Sequence, residues 1–224
     1  MQSDNPRSLM IQTIFNVIIS IAILIIFYKI SLILFEQKFI PAILSTFVYS
    51  LLVNTNMYIR HILPYNDSLL FFMIIIYYIL MCLKKKSYLS INNIVIVGLL
   101  TGFCFATWDG SYVVPPFVFL MLLFANQNAF PKNRIITQLL VLSLSTVTVL
   151  FFYEIVALIG GLSFLKLLFI QSISQNQGSF EEGFTFLPKY LIQVEGLIGY
   201  VILIFTVSYL IKVIYDGIKN KTIT

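Results

Sequence analysis

Asp67 is the first residue whose type and setting suggest chemistry. It ends the stretch Arg60-His-Ile-Leu-Pro-Tyr-Asn-Asp67 and leads into an almost wholly apolar run, Leu69–Leu83. With Asn66 it offers hard oxygen atoms, of the kind that ligate magnesium or manganese or accept a hydrogen bond from a substrate hydroxyl. The same aspartate is equally at home capping the N-terminus of a helix. Arg60 and His61, just upstream, suit either a phosphate group or a snorkelling position at a membrane surface. Trp108 and Asp109 form a second pair, in the turn Trp108-Asp-Gly-Ser-Tyr112. An aromatic face beside a carboxylate can hold a sugar, and a tryptophan anchor at a membrane interface is the plainer alternative. Glu154 sits inside a long apolar run. A carboxylate at membrane depth is costly, and it marks either a functional contact or a route to interfacial water. Lys189 and Tyr190, in Phe186-Leu-Pro-Lys-Tyr190, complete the candidate substrate contacts, with a snorkelling lysine as the alternative.

These side chains need a membrane to position them. The chain has 224 residues, 59% of them hydrophobic and 10% charged, against about a quarter charged in an ordinary soluble domain. A soluble core of this size cannot bury so much apolar surface. The expectation is a single all-α domain, a polytopic transmembrane helix bundle of about seven spans. Charge-free apolar runs place the spans at about 9–28, 40–58, 68–83, 91–107, 113–125, 135–159 and 196–211, with an outer segment at 162–195. Gly98 and Gly102, four residues apart, give the fourth span a face that another helix can approach closely. Cys82 and Cys104 fall near opposite ends of neighbouring spans, far beyond the roughly 7 Å Cα separation a disulfide tolerates. The first apolar run is not followed by a small-x-small cleavage site, so it reads as a retained span.

The charges orient this layout. Lys29, Lys38, Lys84, Lys85, Lys86, Lys132, Arg134, Lys212, Lys219 and Lys221 all fall in alternate connections, and these are 10 of the 14 basic residues. Basic residues gather on the cytosolic side, which puts the N-terminus outside and the C-terminus inside. Asp67, Trp108, Asp109 and Glu154 then share the non-cytosolic surface. Basic residues that report topology in this way give no reason to expect a nucleic-acid partner. No Gly-rich phosphate loop, zinc-ligand spacing or Ser/His/Asp set is present in the sequence, which argues against nucleotide-dependent or metalloprotease chemistry.

The stretch Arg60–Ser68 followed by Leu69–Leu83 resembles the integral-membrane GT-C glycosyltransferases, in which a short outer loop ends in an acid that opens a helix. The segment from Gly98 through Trp108-Asp-Gly-Ser-Tyr112 to Pro115-Pro116 is similar to the paired helices of that family, and its turn resembles the Trp-Gly-Gly-Tyr turn of the catalytic oligosaccharyltransferase subunit. The region Gly160–Ile211 resembles the later part of protein O-mannosyltransferases and aminoarabinose transferases. The similarity covers most of the chain and rests on the order and spacing of its motifs. It implies a multi-pass protein of the cell membrane, or of the endoplasmic reticulum membrane in a eukaryote. The implied reaction moves a sugar from a polyprenyl-phosphate carrier to an acceptor on the non-cytosolic face. Asp67 and Asp109 would be catalytic, Asp67 also holding the metal, while Arg60, Asn66, Trp108, Glu154, Lys189 and Tyr190 contact substrate. Family members usually begin with an inside N-terminus, one span and a large acidic outer loop. The resemblance therefore implies an incomplete or inactive core, which is a fragment, a degenerate member, or a split product whose partner chain supplies that span and loop. Two other readings compete: a non-catalytic membrane partner or lipid-binding scaffold, and a small transporter. The transporter is disfavoured because the polar residues gather at one surface, not at the midplane.

Overall fold

Apolar runs of this length can satisfy their backbone groups in lipid only by coiling. The computed structural model describes residues 6–52, 65–84, 90–107, 114–126, 132–177 and 186–221, and every regular element among them is helical. The helices are α1 (Pro6–Leu34), α2 (Phe39–Leu51), α3 (Tyr65–Lys84), α4 (Ile91–Thr107), α5 (Val114–Asn126), α6 (Lys132–Ile159), α7 (Phe164–Gln177) and α8 (Phe186–Lys221). Four stretches are long and apolar enough to cross a membrane: Met10–Leu34, Asn66–Lys84, Ile135–Ile159 and Leu191–Ser208. A rise of about 1.5 Å per residue against a hydrocarbon thickness of about 30 Å explains why α2 and α4 fall short of that length; they are apolar but have 13 and 17 residues.

Contacts fix the helix directions. Phe27 stacks on Tyr49, and Ser45 donates a hydrogen bond to Ser31, so α1 and α2 are antiparallel. Asn66 meets Asn16 while Tyr77 lies under the Lys29 ammonium group, so α3 runs parallel to α1. Ser68 meets Cys104 while Tyr78 and Cys82 meet Asn93, so α4 is antiparallel to α3. Gly98 lies against Leu142 and Ser145, and Gly102 against Thr146 and Val149, so α6 is parallel to α4. Phe72, near the start of α3, meets Phe117, near the start of α5. The first six helices therefore alternate in direction. One end of the bundle carries the starts of α1, α3 and α5 and the ends of α4 and α6. The other carries the α1–α2 turn, the end of α3 and the starts of α4 and α6. These are called below the Asp67 end and the Lys84 end.

The most extensive packing joins α4 to α6, followed by α1 to α3 and α3 to α4. The core is Ile75 and Ile79 of α3, Ile94, Val97 and Cys104 of α4, Val118 and Leu122 of α5, and Leu142 of α6. In lipid such contacts gain little from the hydrophobic effect, so close packing and interhelical hydrogen bonds must hold the helices together. Gly98 and Gly102 supply the first. A Cβ on Gly98 would stand 2.6 Å from the Ser145 Cβ, and one on Gly102 would stand 2.7 Å from the Val149 Cβ. Thr146 supplies the second, donating to the Gly98 carbonyl at 3.1 Å. The close-approach face read from the Gly98/Gly102 spacing is thus occupied by α6. Outward-facing residues are large and apolar, such as Ile11, Leu140, Leu144 and Ile159. α8 makes no extensive contact with the other described helices.

α2 closes at Leu51, with Leu52 as its C-cap, short of the end expected at about 58, and the structure differs from the sequence reading at two further boundaries. α1 does not stop at Tyr28. The aliphatic run resumes after Lys29, whose ammonium group lies 5.9 Å from the Tyr77 ring centre, and the helix continues to Leu34. The turn is made at Glu36 and Gln37, both left-handed with φ of 53° and 67°. At the other boundary, helix already runs from Phe186 and breaks at Gly196, where φ is 55° and ψ is −126°. An apolar helix is thus under way before the start expected at about 196. Both cysteines are buried thiols not joined in a disulfide, at opposite ends of the α3–α4 pair.

Candidate functional site

The Asp67 end brings together most of the described candidate residues. Asp67 lies in the first turn of α3, half-buried. A first turn carries unpaired N–H groups and the positive end of the helix dipole, so an acid at that position is stabilised there. One turn on, at the i+4 position that shares its face, Phe71 stacks on Phe103 of α4 with ring centroids 5.9 Å apart. Phe103 meets Tyr153 of α6 edge-on at 6.3 Å, and Tyr153 meets Phe164 of α7 at 5.5 Å. An aromatic row therefore crosses four helices just inside this end of the bundle.

Asn66 points away from any site shared with Asp67. It is buried, and its side-chain nitrogen donates to Asn16 Oδ1 at 2.6 Å, with Ser20 Oγ at 3.4 Å. Ser20 in turn donates to the Asn16 carbonyl at 2.9 Å. This polar knot joins α1 to α3 within otherwise apolar surroundings. The signal for it was Asn16 and Ser20 at i and i+4 in an apolar span, which puts both on one helix face.

Glu154 faces the protein. One carboxylate oxygen accepts from Ser163 Oγ at 2.9 Å, and the other from the Leu165 N–H at 2.8 Å. Ser163 Oγ also accepts from the Lys166 N–H at 3.2 Å, as an N-cap residue does. The geometry begins in the glycines. α6 ends with the Gly161 N–H bonded to the Leu158 carbonyl and the Leu162 N–H to the Ala157 carbonyl, with Gly161 left-handed at φ 75°. That glycine-terminated stop reverses the chain, and Ser163 then lands beside Glu154. Glu154 and Ser163 together cap α7, and the local signal for this is Gly160-Gly-Leu-Ser163.

The remaining candidates are placed as follows. Lys189 is exposed on the first part of α8, and Tyr190 follows it in the same helix. Arg60, Trp108 and Asp109 lie outside the described residues, so the expected pairing of Asp67 with Asp109 falls there too. Glu195, buried on α8 next to the Gly196 break, was not singled out as a contact. Among the described residues, no three of His, Cys, Asp or Glu come together as a metal-ligand group. α3 and α6 each pack on α4, so Asp67 and Glu154 belong to two helices that share it as a neighbour. Chemically, this end can offer one half-buried carboxylate at a helix start one turn from a row of aromatic rings, and it holds a second carboxylate already engaged as a cap. Comparison with family models, with curated proteins and with solved structures finds no match for this chain.

Proposed function

We propose that the chain is the core of a membrane glycosyltransferase of the GT-C kind, working at its Asp67 end. In this reading seven spans cross the membrane, the N-terminus is outside, and the Asp67 end faces away from the cytosol. The substrate is a sugar on a polyprenyl phosphate. An acceptor hydroxyl attacks the anomeric carbon, its proton passes to the Asp67 carboxylate, and the bond from carbon to phosphate oxygen breaks with the electron pair leaving on the phosphate. A magnesium or manganese ion held by Asp67 would help neutralise that phosphate. Trp108 and Asp109 shape the sugar site, and Arg60, Lys189 and Tyr190 contact the carrier.

The observation that carries this reading is Asp67 itself, half-buried at the start of a membrane-length helix with the Phe71–Phe103–Tyr153–Phe164 row beside it. The purified chain in liposomes, given a labelled polyprenyl-phosphate sugar with and without manganese, provides the test. Transfer to acceptor or water that is lost in Asp67→Asn supports it. Equal turnover in both proteins, or none in either with identical manganese binding, reduces Asp67 to a helix cap.

A second reading, a non-catalytic membrane partner or lipid-binding scaffold, is favoured by a different observation. Asn66 and Glu154 are both engaged in joining helices, to α1 and α7 respectively. Lipid-linked sugar binding without turnover would favour the scaffold.

A further inference from the structure

The opposite end of the bundle holds a pocket that the transferase reading does not use. It has a volume of about 440 Å³ and is lined by Ile33, Glu36, Gln37, Leu80, Leu83 and Lys84. We propose that this pocket binds the head group of a phospholipid bearing a primary ammonium, as phosphatidylethanolamine does, with Lys84 taking the phosphate and Glu36 the ammonium.

The pocket is amphipathic in the way such a lipid is. Its lining combines three aliphatic side chains, Ile33 of α1 with Leu80 and Leu83 of α3, with one acid, one base and one amide. Glu36 and Lys84 are exposed and come from different elements, the α1–α2 turn and the last turn of α3. Among the described residues neither is joined to the other in an ion pair. Opposite charges that share a pocket unpaired suit a ligand carrying both signs. Gln37 adds a further polar group. Its Nε2 donates to the Leu32 carbonyl at 3.3 Å, which leaves its Oε1 to accept. An ammonium with three N–H donors can then use Glu36 and Gln37 together, whereas a quaternary choline head offers no donor at all. Of the neighbouring described cations, Lys29 is engaged one turn deeper over the Tyr77 ring, and Lys38 follows Gln37 at the start of α2.

The backbone supplies a second, independent observation. α1 ends with the Gln37 N–H on the Leu32 carbonyl and the Glu36 N–H on the Ile33 carbonyl, the same stop that closes α6. At α6 the left-handed position is a glycine, Gly161, and at α1 it is Glu36, followed by a second left-handed residue, Gln37. Glycine is the unstrained choice for such a position. Side chains are kept here against the backbone preference, and both line the pocket. Strain retained in this way points to function.

The test uses the full chain in mild detergent, titrated with phosphatidylethanolamine, phosphatidylcholine and phosphatidylglycerol of equal chain length, with bound lipid counted by native mass spectrometry. Phosphatidylethanolamine should bind about tenfold more tightly than phosphatidylcholine, the size of effect expected for one charged hydrogen-bonding contact. Glu36→Gln should erase that preference, and Lys84→Gln should weaken both lipids alike. Glu36→Gly separates binding from folding. It removes the carboxylate and relieves the left-handed position, so the protein should melt no lower than wild type yet lose the selectivity. Soluble phosphoethanolamine should compete far more weakly than the lipid, since it lacks the chains that meet Ile33, Leu80 and Leu83. Equal binding of the ethanolamine and choline lipids by wild type overturns the proposal. So does a preference that survives Glu36→Gly, or tighter binding of phosphatidylglycerol, which would mark a merely basic surface. None of these outcomes depends on glycosyl transfer.

Discussion

Asn66 shows how a residue chosen for its chemistry can be spent on structure. Its amide is buried and donates to Asn16 at 2.6 Å. Replacing it with leucine leaves Asn16 Oδ1 without that donor in an apolar setting. The cost of one orphaned partner is about 1–3 kcal/mol in mutational series, and less where membrane helices can find substitutes. Asn66→Leu should therefore lower the melting temperature in detergent, and adding Asn16→Leu should recover part of the loss. If the double variant is as unstable as the sum of the two single ones, the pair does not act as a unit. Glu154 presents the same contrast. Glu154→Gln keeps an oxygen to accept from Ser163 or Leu165, whereas Glu154→Ala removes both acceptors. The alanine variant should lose about 0.5–2 kcal/mol of cap stabilisation. Hydrogen exchange should show faster turnover at the Leu165 amide in that variant. An unchanged rate would count against the cap.

At the scale of the helices, the sharpest prediction concerns Gly98 and Gly102. A single methyl group at either would press on α6 side-chain and backbone atoms at 2.6–2.9 Å. Backbone cannot give way as a flexible side chain can, so α4 and α6 must separate, and overpacking of this kind costs about 1–3 kcal/mol. Gly98→Ala and Gly102→Ala should each destabilise the protein in thermal melts, while Gly160→Ala, whose added carbon would find one atom at 3.3 Å, should do so less. This contact was legible in the sequence because small residues four apart mean one thing on a helix, a close neighbour. Which helix would be the neighbour was not legible, since α6 lies far along the chain. α1 runs past the boundary expected at Tyr28 for a related reason. A lysine normally ends a span, but the ring of Tyr77 accommodates Lys29 from another helix, and no local pattern announces that partner. At the candidate site, Asp67 could be read as helix-opening from its place before an apolar run. The roles of Asn66 and Glu154 depended on partners 50 and 9 residues away, and only the nearer of these, through Gly160-Gly-Leu-Ser163, left a trace in the sequence.

For the molecule as a whole, the alternating helix directions and the charges can be combined into a single test of orientation. The Lys84 end holds Lys84 at the close of α3 and Lys38 at the start of α2, with Lys132 opening α6. The Asp67 end holds Asp67, Glu154 and the α7 helix that Glu154 caps. Contacts alone say which residues share an end and are silent on which end is cytosolic. The positive-inside tendency predicts that the Lys84 end faces the cytosol. Both native cysteines are buried, so a single introduced cysteine can be read against a low background. Lys38 and Lys166 are exposed, on the α1–α2 connection and on α7, and each can be changed to cysteine without disturbing a described side-chain contact. In intact cells an impermeant maleimide should label Lys166→Cys directly and Lys38→Cys only after permeabilisation. The opposite pattern would place Asp67 in the cytosol and remove the proposed outer transferase site, while leaving the helix directions intact. Labelling of both from one side would break the alternation itself. An odd number of crossings must separate Lys38 from Lys166 for the two to differ, and the proposed seven-span layout, in which each of α2 to α6 crosses once, would supply five.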